Sequence, residues 1–254
     1  MVLEAIESIK RQDYHDLEII VVDDGSTDNT RTEVNSIFPE VLLIRLNGEG
    51  PGSARNAGVN ASNGEILMFL DSDDVWLENH VQQLMNVLKR GFQFAYGTTK
   101  TIDEINRKDF LIPDKGEGLE GDCFETLVRW CFLVPSSIAV SRKAFRAAGG
   151  FDTVACGEDW TFFIRLSARF PLGFAGPNPI TLRRLHQGSL CFLNDKKKLL
   201  AIINQVFTLL EKEPRANAAH RNHFIMLREW TAANMDKWST VQDWYLQMLQ
   251  EKII

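Results

Sequence analysis

The stretch Glu65–Asp74, EILMFLDSDD, decides the fold. An apolar run bounded by Gly64 and a group of carboxylates reads as a strand buried on both faces, as in a parallel sheet. Asp71 and Asp73 are two residues apart, so in extended geometry they point the same way. Three carboxylates this close, Asp71, Asp73 and Asp74, repel one another unless positive charge sits among them. A hard divalent cation, Mg²⁺ or Mn²⁺, suits such oxygen ligands. The segment therefore suggests a metal site at the carboxyl end of a parallel strand, where open α/β sheets bind ligands. Taken alone, it also reads as an acidic loop ending in a helix cap.

Working outward, strands and helices alternate. Apolar positions 2, 3, 5, 6 and 9 have a helical period. Residues 17–22, LEIIVV, form a strand that stops at Asp23-Asp24-Gly25. Ser26 or Thr27 then caps a helix to about Phe38. Residues 41–46 are a second strand, 47–52 a glycine-rich loop and 53–62 a short helix. The strand at 65–70 is the third, and the alternation implies right-handed βαβ units. Beyond it the pattern gives a helix at 78–90, a strand at 92–102 and a loop at 103–121. Helices at 123–132 and 142–149 flank a strand at 136–141. A helix at 159–170 precedes a strand at 179–186. From about Lys197 onward the periodicity is helical throughout. Leu199, Ile202, Ile203, Val206, Phe207 and Leu210 mark one face, and Val241, Trp244, Tyr245, Met248 and Leu249 another. Two units follow: a domain over 1–190 and a helical extension over 191–254.

The 254-residue chain is 44% hydrophobic and 24% charged, as a soluble domain with a sizeable core requires. Its net charge of −6 speaks against a nucleic-acid partner, which calls for a basic face. Residues 187–254 carry +2, so the first 186 carry −8. Cys123, Cys131, Cys156 and Cys191 contain no CxxC pair, which suggests reduced thiols and a cytoplasmic setting. No apolar run approaches a membrane span. Glu4, Glu7 and Lys10 interrupt the start as a secretory signal would not.

Five further features carry chemistry. VVDDGSTDNT (21–30) sets two carboxylates at a strand end above a glycine turn. GSARNAG (52–58) opens a helix with a cation. GGFD (149–152) and GEDWTFFIRL (157–166) put a carboxylate pair at a helix start. RRLHQGS (183–189) follows a strand. In this order, with FLDSDD, they resemble the family 2 glycosyltransferases over roughly residues 3–190. The resemblance implies a GT-A fold, Rossmann-like, with a mixed, mainly parallel sheet flanked by helices. It implies an inverting enzyme that moves a sugar from a nucleotide-sugar donor, a UDP-sugar, to a hydroxyl acceptor. That acceptor would be a glycan, a lipid-linked acceptor or another hydroxyl compound, in polysaccharide or glycoconjugate synthesis. Asp24 would contact the base, Arg55 the diphosphate, and Asp71 and Asp73 the donor. Asp73, Asp74 and His186 would serve Mg²⁺ or Mn²⁺. Asp159 would be the general base, taking the acceptor proton as its oxygen attacks the anomeric carbon. Glu158 would orient the acceptor or the loop, and Trp160 would be core or a sugar platform.

The resemblance departs at the start. Family members open with a strand of the type VSVIIPTYN, and LEAIESI (3–9) matches the helix that follows it. The expectation is a sheet lacking its first strand. A rival reading is a non-catalytic remnant that binds nucleotide-sugar. A further one gives the C-terminal helices a structural or interaction role, with Trp230, Trp238 and Trp244 packing on the catalytic domain, on a second copy or at the inner face of a membrane. Lys196-Lys197-Lys198 would contribute charge there.

Overall fold

The computed structural model describes residues 1–154, 156–189, 197–234, 237, 244 and 247–248. Cys191, Lys196, Trp238, Val241, Tyr245 and Leu249 lie outside the described residues, as does the boundary expected at 190/191.

The first third builds as its pattern demands. Helix α1 (Val2–Lys10) buries Ala5, Ile6 and Ser8 and leads to β1 (Ile20–Asp23). Helix α2 (Thr30–Ile37) returns the chain to β2 (Leu42–Arg45), which pairs parallel to β1. Helix α3 (Pro51–Ala61) leads to β3 (Ile66–Met68). The α2 cap differs from expectation. Asn29 rather than Ser26 or Thr27 precedes the helix, because the Ser26 amide donates to Asp23 Oδ1 and closes the preceding turn instead. Helix α3 begins at Pro51, whose fixed φ suits a first helical turn.

After β3 the pairing becomes mostly antiparallel. A two-residue strand, β4 (Val75–Trp76), and α4 (His80–Lys89) precede the long β5 (Phe94–Asp103). Residues 103–121 are not all loop. Asp103 accepts from the amides of Ile105 and Asn106 and turns the chain into β6 (Lys108–Ile112), which pairs antiparallel to β5. Helix α5 (Phe124–Arg129), β7 (Ile138–Ser141), α6 (Arg142–Ala147) and α7 (Glu158–Ser167) follow. Strand β8 (Leu172–Leu185) is fourteen residues long and starts well before the expected residue 179, because its first half pairs parallel to β5 through an irregular register. The sheet order is β3-β7-β5-β8-β4, with β6 on β5 and β1-β2 apart. Parallel pairing among the described residues is confined to β1–β2 and β5–β8.

Strand β3 is apolar on both faces because two cores use it. Leu67 joins Phe94, Phe145 and Phe162 in the larger cluster, while Ile66 and Met68 pack on Leu84, Ala95 and Ile180. Helices α8 (Lys197–Lys212) and α9 (Ala218–Asn234) cover the larger cluster through Leu199, Ile203, Val206, Leu210, Phe224 and Leu227. Among the described residues no helix is long and apolar enough to cross a membrane. Cys123, Cys131 and Cys156 are free thiols.

His80 is fully buried, stacked on Trp76, with Nδ1 3.0 Å from the Ile180 carbonyl oxygen. Burial lowers its pKa from 6.5 to about 3, so it folds neutral. The unfolded chain takes up this proton below pH 6.5 and the folded chain does not, so stability is complete above 6.5 and falls toward pH 3. At pH 5 the loss is about 2 kcal/mol relative to pH 7.5. Urea titrations of wild type and His80→Gln should show a shallower stability slope between pH 6.5 and 4.5 in the variant.

Candidate active site

The carboxyl ends of β1 and β3, strands of separate sheets, border one cavity, and the loops there carry the acidic motifs. Asp24 follows β1. Its Oδ1 accepts from the amides of Gly48 (3.0 Å) and Glu49 (2.8 Å), and its Oδ2 from Gly50 (2.7 Å). Gly48 and Gly50 have φ of +80° and +91°, a conformation that favours glycine. Asp24 thus pins the loop that launches α3 and also lines the cavity at this end.

Arg55 lies one turn into α3 and reaches two carboxylates. Its Nη2 donates to Asp71 Oδ1 at 2.8 Å and its Nη1 to Glu158 Oε1 at 2.7 Å, with the guanidinium 5.2 Å from the Phe151 ring centre. Only 12% of the Arg55 side chain is exposed. The approach of α3 to α7 depends on Gly52, where a Cβ would stand 2.1 Å from the Asp152 carbonyl oxygen. Next to Arg55, Asn56 donates to the Phe151 carbonyl at 2.8 Å and accepts from its amide at 3.0 Å, holding the 149–152 loop. Arg165 grips that loop from α7, bonding the carbonyls of Ala148 and Gly150 and the Asp152 carboxylate.

The three carboxylates of the acidic loop have different surroundings. Asp71 is the most open, with 40% of its side chain exposed. Asp73 Oδ2 stands 3.3 Å from His186 Nε2. Asp74 is buried: its Oδ2 accepts from the Ser136 hydroxyl at 2.6 Å and its Oδ1 from the Arg184 amide at 3.2 Å. Burial, then the charge of Asp71, pushes Asp74 up to about 7. Ser136 also accepts from the Asp71 amide at 3.1 Å, so one hydroxyl ties both ends of the DSDD segment to the start of β7. Nothing in the sequence marks Ser136, which lies more than sixty positions downstream of its partners.

His186 Nδ1 accepts from the Gly188 amide at 3.0 Å. A neutral ring in this arrangement carries its proton on Nε2, toward Asp73. Ligation of a metal through Nε2 would require the Gly188 amide to release Nδ1. Among the described residues no three His, Cys, Asp or Glu side chains converge to hold a metal ion by themselves. The donor set fits a cation of another kind, bound through one or two carboxylates and completed by phosphate oxygens and water. Asp71 and Asp73 are the accessible oxygen donors; both oxygens of Asp74 already accept hydrogen bonds.

Glu158 and Asp159 open α7. Burial, then the neighbouring Asp159, pushes Glu158 up to about 7, against the pull of Arg55. Burial raises Asp159 above the usual carboxylate range, while Arg55 and the Trp160 amide, 2.7 Å from its Oδ1, oppose the rise. Trp160 is core: its indole donates to the Leu127 carbonyl at 2.6 Å. The structure therefore gathers Arg55, Asp71, Glu158 and Asp159 into one cluster, with Asp24, Asp73, Asp74 and His186 around the adjoining cavity.

Residues 1–147 match the family described as Glycosyl transferase family 2, and the chain belongs to that family. It is 33% identical over 163 residues to an uncharacterized glycosyltransferase of Nostoc, covering 59% of this chain and 49% of that protein. It is 37% identical over 125 residues to a Campylobacter jejuni GalNAc(5)-diNAcBac-PP-undecaprenol beta-1,3-glucosyltransferase, covering 47% of this chain and 39% of the relative. The chain thus spans about half the length, or less, of these curated relatives. In shape it matches the Staphylococcus aureus TarS 1–349 structure in complex with UDP-GlcNAc, with a TM-score of 0.70 at 17% identity, covering 91% of this chain and 69% of that one. The fold is GT-A.

Removing Arg55 would leave two carboxylates, one of them buried, without their cation. Breaking such a pair costs about 3–5 kcal/mol when one partner is deleted. Arg55→Met should lose stability on this scale at pH 8 and less at pH 5, where Glu158 takes a proton. Paired urea melts at the two pH values would check this.

Proposed function

We propose that this chain is an inverting glycosyltransferase using a UDP-sugar and a lipid-linked or glycan hydroxyl acceptor, at work in the cytoplasm. The observation that carries the reading is the position of Asp71 and Asp73 beyond the carboxyl end of β3. There they line the same cavity as Asp24 and Arg55, while Arg55 reaches across to Glu158. The names of two relatives support the acceptor class: the Campylobacter enzyme and an Escherichia coli UDP-Glc:alpha-D-GlcNAc-diphosphoundecaprenol beta-1,3-glucosyltransferase. The TarS complex with UDP-GlcNAc supports the donor class.

In this reading Asp24 sits at the base end and Asp71 and Asp73 face the diphosphate. Mg²⁺ or Mn²⁺ held by Asp71 and Asp73 would neutralise charge as the nucleoside diphosphate departs. Asp159 removes the acceptor proton as the hydroxyl oxygen attacks the anomeric carbon from the face opposite the leaving group, which inverts the centre. Burial makes Asp159 a stronger base than an exposed aspartate, and its place at the start of α7 keeps the anionic form accessible. Glu158 holds Arg55, and through it Asp71, against the same helix end.

With UDP-glucose, Mn²⁺ and a diphosphoundecaprenol-linked GlcNAc acceptor, Asp159→Asn should lower turnover at least about 100-fold. UDP affinity by calorimetry should stay within threefold of wild type. Unchanged turnover would reject the base assignment. Mn²⁺-dependent UDP binding by the wild type with neither transfer nor donor hydrolysis would favour a non-catalytic binding role.

A further inference from the structure

Helix α8 lies against the turn that carries Glu158 and Asp159, and not with the stripe that fills the core. Leu199, Ile203, Val206 and Leu210 are buried and belong to the larger cluster. Positions 198, 202 and 205 recur at i, i+4 and i+7, so they form a second stripe beside the first. This second side of α8 meets residues 156 and 157. Cys156 Sγ stands 3.7 Å from the Lys198 carbonyl oxygen. A Cβ placed on Gly157 would lie 3.1 Å from Ile202 Cγ2, 3.2 Å from Ile202 Cγ1 and 3.4 Å from Gln205 Oε1.

Gly157 immediately precedes α7, with a φ of +81° that favours glycine. Its carbonyl accepts from the Thr161 amide at 3.2 Å and the Thr161 hydroxyl at 3.3 Å. The first turn of α7 therefore hangs on the residue that α8 covers. The turn has neighbours on its other sides as well. The Val154 carbonyl oxygen stands 3.4 Å from where a Gly50 Cβ would be, and Asp24 holds the Gly50 amide. Trp160 donates to the Leu127 carbonyl, and its ring centre is 5.8 Å from that of Phe224 in α9. Glu158 is tied to Arg55. The Asp159 carboxylate accepts from the Trp160 amide of its own turn, so its place follows that of the turn.

We propose that α8 seats the turn that presents Asp159, and that Ile202 is a positioning residue for it. The inference rests on the reading of Asp159 as the base. Gly157 has no side chain with which to hold the turn, and the two γ-carbons of Ile202 fill the space where one would pack. Without them the turn can shift toward α8 and carry Asp159 along. A base must stand within hydrogen-bond reach of the hydroxyl it deprotonates. A displacement of about 1 Å originating far from the chemistry can cost up to about 100-fold in rate. The helical extension is thereby part of the catalytic unit.

Ile202 is half-buried and Leu210 fully buried on the same helix, so stability and turnover should rank them in opposite order. With UDP-glucose, Mn²⁺ and the diphosphoundecaprenol-linked GlcNAc acceptor, Ile202→Ala should lower kcat about 10-fold and leave the KM for UDP-glucose within about twofold. Ile202→Val keeps both γ-carbons and should hold kcat within about twofold of wild type. Leu210→Ala should lower Tm further than Ile202→Ala, with kcat within about twofold. Hydrogen exchange over residues 156–162, read by mass spectrometry well below Tm and without substrate, should quicken at least about fivefold in Ile202→Ala and not in Ile202→Val or Leu210→Ala. Unchanged kcat or unchanged exchange in Ile202→Ala overturns the proposal. So does an equal loss of kcat in Leu210→Ala, or a valine variant as slow as the alanine one. Full turnover in Ile202→Ala beside an inactive Asp159→Asn rejects the seat alone, whereas full turnover in Asp159→Asn rejects the base.

Discussion

The Arg55 guanidinium is the charge on which this site depends. The chain brings Asp71, Glu158 and Asp159 together from two segments almost ninety residues apart, and such a group repels itself in a half-buried setting. Arg55 lies between them, bonded to Asp71 at 2.8 Å and Glu158 at 2.7 Å. Its own position is fixed by backbone. Gly52 allows α3 to touch the 152 carbonyl, and Asn56 clamps Phe151 by its two backbone groups. The small residues of GSARNAG are thus the means by which one cation is delivered to the interface of α3 and α7. A strand end and a helix start are joined through a side chain that neither element contains.

The second constraint is the sheet itself. Strand β3 is only three residues long, yet it carries the acidic loop and must hold it still. It does so from one side, through β7, with Ser136 at the start of that region fastening both Asp71 and Asp74. On its other side it has no strand partner among the described residues and borders the cavity. The loop after β3 is therefore anchored toward the antiparallel half of the molecule and open toward the parallel half. The cavity lies on the open side.

Much of this was legible in the sequence because the signals were local. The apolar run 65–70 announced a strand that two cores share, and the structure shows both; its expected parallel pairing is corrected, since among the described residues β3 pairs antiparallel to β7. The alternation through residue 70 gave the order of the first six elements. The remainder was hidden where the cause is distant or competing. Strand β6 was read as loop because its pairing is set by the Asp103 turn, and its own residues show only a weak alternation. The first half of β8 contains two glycines and a proline, which argue against a strand locally; pairing with β5 overrides them. Within the site, the acidic and basic side chains could be picked out one by one. Which carboxylate meets which cation could not be, since Glu158 and Arg55 are 103 positions apart.

The differences among the three loop carboxylates follow from the same geometry. A strand end followed by a tight turn sends alternate residues to different fates. Asp71 leaves the sheet toward Arg55 and solvent, Asp73 turns toward His186, and Asp74 folds back under Ser136. An aspartate with both oxygens already accepting hydrogen bonds and its pKa pushed to about 7 is a poor first choice for a cation. It is well suited to fixing the loop in which Asp71 and Asp73 present theirs. The DSDD segment thus divides its labour: two carboxylates face outward for charge, and the third is turned inward so that the other two hold their places.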